Sequence, residues 1–358
     1  MAEIEEFNTN ESWFNWTKYS SSMLRAIEKS ILSHLKRPYR GMFVDIGTCV
    51  GDSDKIWTIV MNTEAKRTPI LMLHGLGAGV ALWVLNLDEL AKHRTVYAID
   101  ILGFARSSRP EFCDDAMIAE KQLVKSIDEW RKEVGLKEMI ILGHSMGGFL
   151  AASYALSYPE RVKHLILADP WGFPERPEQI ASKYKIPWWA KPLVAASQAL
   201  NPLWILRFSG PLGSWLVGKT RPDIMRKFSS VVSNQDDIPN YIHQCNAQKP
   251  SGESAFHTMM DKIGWAKNPM ITRIQNLKPS VPITFVYGSK SWVDNSPGET
   301  IKQLREQGYV KVHRIQNAGH HVYADDAETF NKLVNEACAT CDIDKQTQMN
   351  DESFQRTL

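Results

Sequence analysis

The sequence contains no run of about 18 uninterrupted apolar residues, the length a membrane-spanning helix needs. The nearest stretch, LVAASQALNPLWIL at 193–206, carries Pro202 and stops at Arg207, so a membrane would be met only from its surface. The first ten residues, MAEIEEFNTN, are acidic and lack the basic start and apolar core of a signal peptide, which leads us to expect a cytoplasmic protein. Cysteine is scarce. Five residues between Cys49 and Cys341 form an odd set that does not suggest a disulfide framework, and reduced thiols are expected. Cys338 and Cys341 spell C-x-x-C without a second pair for zinc, so they read as packing residues. Charge of one sign is also missing. Lys and Arg number 42 against 40 Asp and Glu in 358 residues, so no global field recruits nucleic acid. No internal repeat is visible, and no metal or organic cofactor is implied.

What is present is a globular composition, 43% hydrophobic, arranged as short β-rich runs that alternate with helical patterns. MFVDIGTCV (42–50), KIWTIVMN (55–62), PILMLHG (69–75), TVYAIDI (95–101), EMIILGH (138–144) and VKHLILADP (162–170) read as strands. Most are apolar almost throughout, as strands buried on both faces are. Helical patterns lie near 80–92, 116–135 and 146–157. The order predicts an open, mostly parallel α/β sheet. The rhythm breaks after Asp169-Pro170 and resumes at VPITFVYG (281–288) and VKVHRIQ (310–316). We therefore divide the chain into an N-terminal segment (1–40), a core in two parts (41–170 and 281–340), a cap insertion (171–280) and a polar tail expected to be disordered (341–358). The cap would stand over the carboxyl edge of the sheet, where open α/β folds place ligands.

ILGHSMGG satisfies G-x-S-x-G at Gly143, Ser145 and Gly147, directly after a predicted strand and before a predicted helix. A nucleophile elbow needs that context, because the serine sits in a strained turn where neighbouring Cβ atoms would collide. His144 reads as elbow packing. Upstream, HGLGAG (74–79) follows a strand and is where an oxyanion-hole donor is expected, so the backbone N–H groups of Leu76 and Met146 are the candidate pair. Neither G-x-G-x-x-G nor a Walker lysine is completed there, which argues against a nucleotide.

The triad order serine, acid, histidine places the base near the chain's end, in NAGHHVYADD (317–326). His320 is the candidate and His321 its competitor, with the small residues Ala318 and Gly319 favouring His320. Asp294, in the loop after the preceding strand, is the candidate acid. His320 and Asp325 also spell H-x4-D, a spacing found in glycerolipid acyltransferases. Asp325 and Asp326 equally open a helical pattern, where carboxylates meet unpaired N–H groups.

HGLGAG, DILGFARSSRP, GHSMGGFLAASYALSYPERVKHLILADPWGFPERP and AGHHVYADD together resemble the α/β-hydrolase-domain 4/5 subfamily over most of residues 60–340. The resemblance implies an α/β-hydrolase fold, with helices on both faces of a mostly parallel sheet and a helical cap. It also implies one of two functional types. The first comprises serine hydrolases that remove acyl chains from N-acyl or ordinary glycerophospholipids. The second comprises co-activators of a partner triacylglycerol lipase on lipid droplets, which carry asparagine at the nucleophile position. Ser145 implies the hydrolytic type. Acyl transfer to lysophosphatidic acid is a third reading, resting on H-x4-D. Ala105 departs from the glycine usual in relatives.

A lipid substrate and a membrane or droplet surface also agree with the composition of the cap. Between Lys183 and Lys227 stand eight Lys/Arg and one acid, Asp223, interleaved with Trp188, Trp189, Trp204 and Trp215. Indoles favour the membrane interface and cations its phosphates. Trp13, Phe14 and Trp16 repeat the theme in the N-terminal segment, as a candidate membrane-surface contact.

Overall fold

The structure, a computed structural model, describes residues 19–177, 203–262 and 264–355. Strands β1 (Tyr39–Asp45), β2 (Lys55–Met61), β3 (Arg67–Leu73), β4 (Arg94–Ile99), β5 (Met139–His144) and β6 (Val162–Ala168) precede the insertion. A short ribbon of β7 (Met260–Lys262) and β8 (Trp265–Ala266) lies within it, and β9 (Ile283–Gly288) and β10 (Val310–Ile315) follow. One sheet runs in the order β1-β2-β4-β3-β5-β6-β9-β10. Within this sheet, among the described residues, only the β1–β2 and β2–β4 pairs are antiparallel. Every strand read from the sequence is therefore found, and all eight belong to this sheet.

Helices α1 (Ser21–Leu32), α2 (Val84–Leu90), α3 (Ala116–Glu133) and α4 (Met146–Ser157) come before the insertion. Within it are α5 (Trp204–Phe208), α6 (Gly213–Thr220), α7 (Pro222–Phe228), α8 (Asp237–Asn246) and α9 (Gly252–Met259). After it come α10 (Ser296–Leu304), α11 (Val322–Asp325) and α12 (Ala327–Gln355).

Alternation along the central strands builds two apolar layers. Met139 and Ile141 of β5 pack with α3 and α4, whereas Ile140 and Leu142 pack with α1, α2 and α12. Both faces are covered, which is why these strands read as continuous apolar runs. Trp130 of α3 is fully buried and donates its indole N–H to Thr58 Oγ1 at 2.9 Å, so the ring is buried without an orphaned donor.

The insertion is more embedded than a separate lid would be. Trp171, Phe173, Phe256, Met270 and Leu277 share the α3–α4 layer, and Phe228, Ile238 and Tyr241 share the other.

The tail differs from expectation: α12 continues through it to Gln355. The helix is anchored by buried Phe330, Val334, Cys338 and Cys341, and propagation through Gln, Lys, Met and Glu costs little once a packed nucleus exists. The two cysteines thus act as packing groups. No helix among the described residues is long and apolar enough to cross a membrane. Trp13, Phe14, Trp16, Lys183, Lys185, Trp188, Trp189 and Lys191 lie outside the described residues.

Candidate active site

Ser145 occupies the turn between β5 and α4 with φ 54° and ψ −119°. Glycines make that turn feasible. A Cβ on Gly143 would fall 2.2 Å from the carbonyl oxygen of Gly147, and one on Gly147 would fall 2.4 Å from that of Leu73. Backbone hydrogen bonds then lock the strained residue: Ser145 N–H donates to Ala168 O at 3.1 Å, and Ser145 O accepts from Trp171 N–H at 3.1 Å. Strain of this kind persists only where the surroundings over-determine it.

His320 lies in the loop between β10 and α11. Its Nε2 is 3.0 Å from Ser145 Oγ, and its Nδ1 is 2.6 Å from Asp169 Oδ2. Because a carboxylate can only accept, Nδ1 carries the proton and Nε2 is left to accept from the serine hydroxyl. Asp169 is completely buried at the end of β6, with φ 45°. Its Oδ1 accepts from Gly288 N–H at 3.2 Å, and its Oδ2 also accepts from the Ser291 hydroxyl. The carboxylate is thus held on three sides.

This arrangement corrects the expected acid. Asp294 is exposed and accepts from the N–H and hydroxyl of Ser296 at 2.9 and 2.8 Å, closing a turn at the start of α10. The loop expected to supply the acid instead supplies Ser291, which orients Asp169. The signal for Asp169 was its place inside LILADP, an aspartate ending an apolar strand.

Neighbouring histidines are set apart from His320. His144 Nε2 lies 2.8 Å from the backbone oxygen of His320 and donates to it, so the elbow props the histidine loop. Burial, followed by the charge of His320, drives the His144 pKa well below 6.5. Burial does the same to His321, for which no bond to Ser145 is found. Asp325 is hydrogen-bonded to the loop backbone and not to the His320 ring. Its Oδ2 accepts from Gly319 N–H at 2.9 Å and its Oδ1 pairs with Lys227 at 3.0 Å, so the H-x4-D aspartate clamps the loop backbone.

The glycine-rich loop borders the nucleophile. A Cβ on Gly75 would come 3.1 Å from Ser145 Cβ, and Gly77 takes a φ of +72°. Leu76 lies between them, half-buried. Met146 is the first residue of α4, where an N–H has no partner one turn back. His74 anchors the loop from below: its Nδ1–H donates to Gly75 O at 2.8 Å, and its Nε2 accepts from Ile101 N–H at 3.1 Å. Ala105 is buried at φ 42°, a left-handed position that explains why glycine suits it.

The cap cations are not a uniform belt. Arg207 forms a largely buried pair with Glu253, at 2.6 and 3.1 Å, and Arg221 and Lys227 pair with Asp223 and Asp325. The exposed apolar side chains are more concentrated: Phe208 and Trp215 are 70% and 60% exposed, with Ile205 and Leu212 nearby in sequence.

Sheet order and the strained serine together define an α/β-hydrolase. The family model described as alpha/beta hydrolase fold matches residues 68–327, and the chain belongs to that family. It is 47% identical over 324 residues to the (lyso)-N-acylphosphatidylethanolamine lipase of Mus musculus, covering 90% of this chain and 93% of that one. It is also 47% identical to the Homo sapiens protein named 1-acylglycerol-3-phosphate O-acyltransferase ABHD5, over 90% of this chain and 91% of the relative. Among solved structures, a bacterial membrane phospholipase A superposes with a TM-score of 0.60 at 19% identity, covering 89% of this chain and 91% of that one, a likeness of fold.

Proposed function

We propose that the protein is a serine hydrolase that removes acyl chains from glycerophospholipids, the N-acylated ethanolamine type included. The observation that carries this reading is the continuous hydrogen-bond line from Ser145 Oγ through His320 to buried Asp169. His320 Nε2 takes the hydroxyl proton as Oγ attacks the ester carbonyl, and the Asp169 carboxylate stabilises the imidazolium. The N–H groups of Leu76 and Met146 hold the oxyanion. Collapse of the tetrahedral intermediate breaks the bond to the glycerol oxygen, which leaves with the proton from His320. Water, deprotonated by the same imidazole, then releases the fatty acid and restores Ser145. The names of the 47%-identical lipase and the presence of a serine at position 145 support this over a purely co-activating role.

Acyl transfer would use the same acyl-enzyme with an alcohol replacing water. The engagement of Asp325 with Gly319 N–H and Lys227 gives it no separate acid–base task at His320. The exposed face of Ile205, Phe208, Leu212 and Trp215 fits peripheral seating on a lipid surface, its apolar side chains entering the interfacial zone.

Two measurements test the reading. A fluorophosphonate probe should label the wild-type protein and leave Ser145→Ala unlabelled. Release of fatty acid from a lysophospholipid should fall by several orders of magnitude in the same variant. Comparable turnover by Ser145→Ala would refute the assignment.

A further inference from the structure

His320 and exposed Trp292, whose rings lie 4.9 Å apart, form part of the wall of a cavity of about 720 Å³. Its charged lining is mostly basic: Arg221, Arg226, Lys227 and Lys290 against two carboxylates, Asp223 and Asp325. Those two carboxylates are already engaged. Asp223 pairs with Arg221 at 3.0 Å and Asp325 with Lys227 at 3.0 Å. Among the described residues, Arg226 and Lys290 have no carboxylate within ion-pair distance, and both are exposed. The cavity beside the candidate base therefore carries two surplus positive charges.

Position and charge together specify a ligand class. An ester whose carbonyl sits at Ser145 Oγ directs its glycerol oxygen towards His320, because that histidine must protonate the leaving group. In a glycerophospholipid the phosphate is only a few covalent bonds from that oxygen, and the cavity next to His320 is where it would fall. Arg and Lys are the usual partners of a phosphate oxygen. Net charge then separates substrates. A phosphodiester whose ethanolamine nitrogen is acylated is an anion, because an amide nitrogen bears no charge. A choline headgroup is neutral overall and brings a quaternary ammonium against the same cations, and a glyceride brings no charge.

Resting on the esterase reading above, we propose that this cavity is the headgroup subsite, in which Arg226 and Lys290 hold the substrate's phosphodiester and select net-anionic glycerophospholipids over zwitterionic and neutral ones.

The test uses the full chain and two monomeric lipids below their micelle concentrations, dihexanoyl phosphatidylglycerol and dihexanoyl phosphatidylcholine, so that no interface contributes. Wild type should favour the anionic lipid in kcat/KM by about tenfold or more, the worth of one charge-assisted hydrogen bond. The double variant Arg226→Gln/Lys290→Gln should lose that ratio through KM, while Arg226→Lys/Lys290→Arg retains it. Absence of preference in wild type, or a preference that survives the Gln pair, overturns the proposal. Inorganic phosphate separates the two sources of the group. Weak competition fits a headgroup site, and competition as strong as the lipid's own affinity would reassign the cavity to free phosphate. If wild type hydrolyses neither lipid, the esterase reading fails separately. Calorimetric binding of dihexanoyl phosphatidylglycerol then decides the subsite: loss in the Gln pair upholds it and unchanged binding overturns it.

Discussion

At the scale of single residues, Asp169 and Asp294 have the same side chain in different surroundings. Asp169 is fully buried, accepts from His320, Ser291 and Gly288, and sits on a strained backbone. Asp294 is exposed and bonds only Ser296 among the described residues. Asp169→Asn should place an amide against Nδ1 and favour the wrong imidazole tautomer, lowering kcat on a soluble short-chain ester by about three to four orders of magnitude. Asp294→Asn should stay within about twofold, since a turn-closing aspartate tolerates asparagine. Steady-state kinetics on both variants checks the pair, and equal losses would contradict it. The candidate nucleophile and base, which the structure brings to 3.0 Å, were legible in the sequence because each sits in a local pattern, G-x-S-x-G and A-G-H, imposed by steric crowding. The acid was not. The loops after β6 and β9 follow adjacent strands, so both satisfy the order serine, acid, histidine. The spacing D-x-S-P was a local clue that Asp294 closes a turn.

At the scale of elements, the insertion shows what composition can and cannot convey. Its apolar and basic content was readable, yet Arg207 and Glu253 are too far apart in sequence for their pairing to be visible. Arg207 ties α5 to α9 through that pair and also donates to Asn246 O at 3.1 Å, so its charge is used internally. The surface-directed groups are instead on the outer sides of α5 and α6. Burying a large apolar side chain stabilises by about 2 kcal/mol, so Phe208→Ser with Trp215→Ser should weaken vesicle binding by two or more orders of magnitude. Co-sedimentation with phospholipid vesicles measures this, and turnover of a soluble ester should persist. Unchanged sedimentation would remove α5–α6 as the seating surface.

For the whole molecule, the eight-stranded sheet was legible because strands covered on both faces leave little room for polar residues. The helical tail was not, because its order comes from the packed start of α12. Buried groups also set how the fold responds to acid. Burial lowers the His74 pKa from 6.5 to about 4, and its neutral ring already serves one donor and one acceptor. Between those values the unfolded chain binds the proton and the folded chain does not, so stability falls as pH drops. From pH 7.5 to 5 this one group should remove about 2 kcal/mol. Asp100, raised to about 8 by burial, works in the opposite sense. Comparing urea unfolding of wild type and His74→Asn at the two pH values isolates the histidine, and equal pH responses would contradict the assignment.

Asp169 stands two residues before the insertion, and its side-chain contacts run to Gly288, Ser291 and His320, which all lie after the insertion. Ser145, Asp169 and His320 are therefore all encoded outside residues 171–280. A recombination that replaced residues 171–280 would leave these three residues in place and would exchange the Arg226 half of the proposed headgroup subsite but not Lys290. Trp171 and Phe173 mark the inner seam that a donor segment would have to match.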